Sequence, residues 1–233
     1  MAEYAGMNKG LRLLLFAAAL CALAAGLLTG LARLGFAVPA ATLAAQHGPL
    51  MICGLFGTLI SLERAVAMAR PWPYLAPALS ALGVVLLLAG LPHSWLTGAF
   101  IAAAAVLSLA SLQLWRGQKV MHLAMLALAS LMWLLGNLLW WHAGTALSAV
   151  PAWLGFLVLT IAGERLELSR FLPTPRSARH VFALLAALLT AGVLWPQTVL
   201  FASALLGLVA WLLRHDIVRR TLRQDGLPRY IAV

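Results

Sequence analysis

Apolar runs of about twenty residues recur along the whole chain, separated by short segments that carry most of its charge. A hydrocarbon core about 30 Å thick is crossed by about 20 apolar residues in helical form, and backbone groups inside it must be satisfied within the protein. The pattern therefore predicts an all-α, polytopic transmembrane helical bundle. Long Leu/Ala/Gly runs do not fit a membrane β-barrel, whose strands alternate polar and apolar positions over about ten residues. Only 9% of the 233 residues are charged, against about 25% in a soluble domain.

Pro, Gly and charge clusters place eight spans near 11–33, 48–69, 74–91, 95–115, 119–141, 148–169, 178–195 and 198–214, in a single transmembrane domain covering 1–233. Lys9 and Arg12 precede the first run as in a signal peptide, but the run is long and has no convincing cleavage site, so it is read as a retained span. Lys and Arg concentrate on the cytoplasmic side of membrane proteins. With the N-terminus inside, eight spans put every Lys and Arg on the inner side except Arg33, and put the C-terminus inside as well. The net charge of +10 is then a topology signal and not a nucleic-acid footprint. The expected setting is a bacterial inner membrane. The expected partners are lipid and a second copy of the chain, with no nucleic acid.

The outer connections "LPHSW" (91–95), "HAGTALS" (142–148) and "WPQT" (195–198) are uncharged, and Trp95, Trp140, Trp141 and Trp195 stand at those ends as interfacial anchors. After the basic stretch "RHDIVRRTLRQDG", Pro228 in "LPRYIAV" stands where the first turn of another helix would begin. Further spans beyond Val233 are therefore expected.

The stretch "GLFGTLISLER" (54–64) is echoed 101 residues later by "GFLVLTIAGER" (155–165). Gly54, Ile60, Glu63 and Arg64 match Gly155, Ile161, Glu164 and Arg165, which suggests a four-helix repeat of 1–116 and 117–216, as in parallel-repeat transporters. Chance similarity between two Leu/Gly-rich helices accounts for the same matches. Gly54, Gly57 and Ser61 form a small-residue stripe suited to close helix approach. Cys21 and Cys53 read as buried thiols.

Ionisable groups within spans are costly and mark functional positions. Glu63, Arg64, Glu164, Arg165 and Glu167 lie at the inner ends of spans two and six. Consecutive helical residues point about 100° apart, so Glu63 pairs more naturally with Arg165, and Glu164 with Arg64. Such pairs serve either as an inter-helix clamp with snorkelling arginines or as a proton or solute path. His47, His93 and His142 fall at outer ends, whereas His122, with Met121 and Met125, falls at an inner end. From His47 to Glu63 is sixteen residues, about 24 Å of helix, so the two ends of span two cannot share one site. Met51 follows His47 by one turn, and imidazole with thioether suits copper or haem iron. Gln46 and Asn137 lie at the same depth as polar support, and Gly48-Pro49 is expected to open the helix and leave His47 at its end. Each histidine serves equally as an interfacial hydrogen-bonding group.

The stretches "QHGPLMICGLFGTLISLERAVAM" (46–68) and "FLVLTIAGERLELSR" (156–170) resemble a family of bacterial multi-spanning membrane proteins that is distantly similar to the NnrS family. The resemblance implies an inner-membrane protein of about twelve spans that holds haem and copper in a redox role linked to nitric oxide stress. Of the family's His-x-His-Glu pattern this chain carries His47, with Ala45 and Gly48 at the flanking places. Haem or copper ligation by His47, assisted by Met51, His93 or His142, is the first expectation, and a proton- or solute-coupled transporter built on the Glu-Arg helices is the second.

Overall fold

The computed structural model describes residues 2–39, 41–169 and 176–215. No strand occurs among them. The helices are α1 (Ala2–Arg33), α2 (Thr42–Met68), α3 (Leu75–Leu88), α4 (His93–Gln118), α5 (Met121–Ala143), α6 (Val150–Ser169), α7 (Arg176–Leu194) and α8 (Thr198–His215). All but α3 contain a stretch long and apolar enough to cross a membrane, seven in all among the described residues. The segment 216–233, including Pro228 and the expected start of a further helix, lies outside the described residues, as does 170–175.

The expected third span, 74–91, runs three residues past its helix, which begins with a 3-10 turn at Trp72–Tyr74 and continues as α3 to Leu88. α3 has 14 residues, about 21 Å of rise, and ends because Gly90 turns left-handed at φ 67°. The Gly90 and Leu91 N–H groups close back onto Leu87 and Leu86 carbonyls at 3.1 and 3.0 Å, and Pro92 cannot continue the helix.

Two compact units divide the chain, one of Met1–Gln113 with Trp133–Trp153 and one of Leu114–Met132 with the described part of 154–233. In the first unit, α1 packs through Leu15, Ala19, Ala22 and Thr29, spaced so that they form one stripe. Its other faces leave Leu13, Leu14, Phe16, Leu20, Leu27 and Leu28 exposed, an apolar surface that suits lipid and not water. Cys21 lies on that surface, so the expectation of two buried thiols is corrected. Only Cys53 is enclosed, because α1 has neighbours along one stripe alone.

α2 is not one regular helix. A 3-10 stretch, Ala41–Gln46, leads into an α-turn at His47–Pro49, a π-helical stretch at Leu50–Phe56 and a regular helix at Gly57–Met68. The expectation that Gly48-Pro49 opens the helix is therefore corrected. Pro49 lacks an N–H and crowds the carbonyl four residues earlier, and tight turns before it and wide turns after it relieve that conflict. The wide stretch closes with the Gly57 N–H bonded to Ile52 O, five residues back. Gly54 of the small-residue stripe meets Ala22 and Val84, and Gly57 lies directly against the Trp133 indole.

In the second unit, α7 and α8 form a hairpin. Gly192 lets the Phe201 backbone approach, so that a Cβ at residue 192 would lie 2.7 Å from Phe201 N. Trp211 reaches across to donate to Ala178 O at 2.8 Å, and Phe182 packs edge-on against it, ring centroids 4.7 Å apart. Separately, Gly163 of α6 sits against Leu126 and the His122 carbonyl of α5.

Candidate functional site

His47 and Met51 stand one turn apart on α2 and face α1, where Gly26 and Gly30 leave room for them. A methyl group on Gly30 would lie 3.0 Å from His47 Nδ1, and one on Gly26 would lie 2.6 Å from Met51 Sδ. These glycines, in "GLLTG" (26–30), form the G-x-x-x-G spacing that lets membrane helices approach closely. This spacing is as legible in the sequence as the stripe of Gly54, Gly57 and Ser61, and it marks the face of α1 that the stripe on α2 does not reveal.

His47 Nδ1 lies 2.8 Å from Gly26 O. A carbonyl oxygen only accepts, so Nδ1 carries a hydrogen and, in the neutral ring, Nε2 carries the lone pair. A histidine bound to metal is commonly held by its other nitrogen in just this way. The half-buried imidazole lines an open cavity of about 660 Å³ with Leu27, Gly30, Leu31, Arg33 and Leu34.

The other expected ligands are not gathered here. His93 sets its Nε2 3.3 Å from Trp140 O and its ring edge-on to the Trp140 indole, centroids 5.4 Å apart. It lines a different cavity, of about 390 Å³, whose walls include Arg33, Gln46, Ile52, Trp140, Val150 and Trp153. His142 is exposed and lines neither cavity. Among the described residues no three His, Cys, Asp or Glu side chains come together as a metal group. Trp95 and Trp141 are exposed, as interfacial anchors would be, but Trp140 is only 3% exposed. The expectation for Trp140 is corrected: the ring is enclosed and lines the 390 Å³ cavity.

Asn137 is fully buried and faces into the first unit. Its Oδ1 accepts from Trp153 Nε1 at 3.0 Å and from Cys53 Sγ at 3.2 Å, and its Nδ2 donates to Phe100 O at 3.0 Å. One amide thus ties α2, α4, α5 and α6, and no bond joins it to His47 or Gln46. Ser80 Oγ donates to Cys53 O at 2.6 Å and accepts from Thr58 Oγ1 at 3.0 Å. Below them Ser61 bonds back to Gly57 O.

At the far end of α2, Arg12 Nε donates to the Tyr74 hydroxyl at 2.8 Å. Tyr74 belongs to a cluster with Leu15, Leu62 and Ala65. Glu63 is exposed there, whereas Arg64 is only 8% exposed. In the second unit Glu164, Arg165 and Glu167 are half-buried, and Glu164, Arg165 and His122 are each engaged with a partner.

The chain belongs to the family described as "Domain of unknown function (DUF8744)", whose model matches residues 12–233. No curated protein and no solved structure matches it.

Proposed function

We propose that this DUF8744 member is an NnrS-like protein of the bacterial inner membrane that binds haem near its outer face, with His47 as the residue that would hold its iron. The observation that carries the reading is the Nδ1–H bond from His47 to Gly26 O, which holds the ring and leaves Nε2 as the nitrogen free to ligate. Haem suits these residues better than copper. Haem iron takes as few as one protein imidazole, whereas a copper centre of three His, Cys or carboxylate ligands has no counterpart among the described residues. Gly26 and Gly30 position the imidazole, the leucines of α1 and Leu34 offer apolar contact to a ring, and Arg33 offers a cation to carboxylates. Bound haem would supply one-electron chemistry and affinity for small diatomic gases.

The test is the visible absorption of the purified protein, oxidised and dithionite-reduced, with iron and copper measured on the same sample. A Soret band with about one iron per chain, lost in His47→Ala, is the expected result. A folded, colourless and metal-free protein after haem supplementation would overturn the reading.

A second reading, a proton- or solute-coupled transporter, draws support from a column of buried polar groups along α2. Cys53, Thr58, Ser61 and Arg64 follow one another, with Ser80 alongside. It calls for pH-dependent flux in proteoliposomes that is lost in Glu63→Gln or Glu164→Gln, with no cofactor present.

A further inference from the structure

Arg33 is the one basic residue that the eight-span topology leaves on the outer side, and the structure gives it a setting that its sequence position does not. It lies in the last turn of α1 and lines the 390 Å³ cavity together with His93, Trp140 and Trp153. Among the described residues it makes no hydrogen bond or ion pair. The first unit contains only two carboxylates, Glu3 and Glu63. Glu3 begins the opposite end of the same helix, and Glu63 stands roughly 25 Å down α2 from Gln46. The guanidinium therefore has no acidic partner within this unit at its own end.

The cavity has the make-up of a small-molecule site, mostly apolar walls with a few polar groups. Ile52, Leu147 and Val150 stand with the Trp140 and Trp153 indoles, and Arg33, Gln46 and Thr145 supply donors. Thr145 Oγ1 accepts from Leu147 N at 3.4 Å, and its hydroxyl hydrogen is left to donate elsewhere. About 390 Å³ lies near the small end of ligand cavities and suits a body of one ring. A single guanidinium, at a helix end whose carbonyls already carry partial negative charge, matches a monoanion better than a multiply charged phosphate.

We infer that this cavity binds a small aromatic or aliphatic monocarboxylate, its carboxylate on Arg33 and its apolar body against Trp140 and Trp153. This cavity and the one beside His47 share Arg33, whereas His47, Leu27 and Gly30 line only the other and Trp140 and Trp153 only this one. Haem carboxylates would compete for the same guanidinium, so the inference is tested on haem-free protein, where it does not depend on the haem reading.

The experiment is calorimetric titration of the full chain in mild detergent with benzoate, and with phenylmethanol and benzylamine as neutral and cationic counterparts. Benzoate alone should bind. Arg33→Gln should weaken it by about tenfold or more, as expected for loss of a charged hydrogen bond, and Arg33→Lys should recover part of the loss. Ala146→Trp, which fills the cavity from its rim, should abolish binding while leaving any haem spectrum intact. Arg33 is exposed, so in haem-free protein its variants should keep the thermal unfolding midpoint of the parent and report on carboxylate binding alone. Equal affinity for phenylmethanol, unchanged benzoate binding in Arg33→Gln, or no carboxylate binding would each overturn the inference. Stabilisation by phosphatidylglycerol but not by benzoate would overturn it too, since Arg33 would then serve a lipid headgroup.

Discussion

Both units of the molecule use tryptophan N–H groups to tie helices together, but they do so with different reach. In the second unit Trp211 donates to a backbone carbonyl, Ala178 O, and one bond joins two neighbouring helices. In the first unit the Trp153 N–H meets a side-chain amide, and Asn137 extends the connection to Cys53 and Phe100. An indole only donates, whereas a carboxamide donates and accepts with several sites. A buried amide can therefore act as a hub where an indole can only bridge. Each added partner also raises the cost of removing the hub, because every stranded donor stays in a dry interior.

That contrast predicts a graded series. Asn137→Leu should be the most damaging, since it strands the Trp153 N–H, the Cys53 thiol and an acceptor at Phe100. At about 1 kcal/mol each, the low end for an unsatisfied polar group, the three together should cost about 3 kcal/mol or more in reversible SDS unfolding. Thiol labelling in a Cys21→Ser background gives an independent reading. Cys53 is enclosed in the parent, and its modification should accelerate in Asn137→Leu as the first unit opens. Gly30→Val should come next, because the new side chain must occupy space now filled by the His47 ring. Overpacking of this kind costs about 1–3 kcal/mol, and the same variant should weaken whatever His47 ligates while leaving Cys53 protected. Trp211→Phe should be mildest, at about 0.6 kcal/mol, the average for a hydrogen bond between membrane helices. An effect from Trp211→Phe as large as that from Asn137→Leu would erase the distinction between hub and bridge.

Helix positions were legible in the sequence because apolar length and charge placement act over whole segments. Seven stretches of spanning length are found near their expected limits. α3 fell short because the left-handed turn at Gly90 is a local event inside an apolar run. The direction in which a side chain points was less legible. Counting residues put Asn137 at the depth of His47, but depth does not fix the azimuth around a helix, and the amide turns to Cys53, Trp153 and Phe100 instead. The partner of His47 was hidden for another reason. Gly26 O is a backbone atom, so no pattern of polar side chains could announce it, although the Gly26/Gly30 spacing could have marked the face of α1 that admits an imidazole. The 390 Å³ cavity draws Arg33, Gln46, His93 and Trp153 from four separate stretches of sequence, and no local motif connects them.

The wide turns at Leu50–Phe56 give α2 a property that a uniform helix lacks. A π-helical stretch accommodates a residue beyond what a regular helix would hold, and one residue corresponds to about 100° of rotation. The half carrying His47 and the half carrying Arg64 are therefore set at independent phases, as if a collar joined two lengths of threaded rod. A one-residue insertion or deletion within this collar would rotate one half against the other and exchange which neighbours each half meets. The length of this short segment, more than the identity of any residue in it, sets the angular relation between the two ends of the helix.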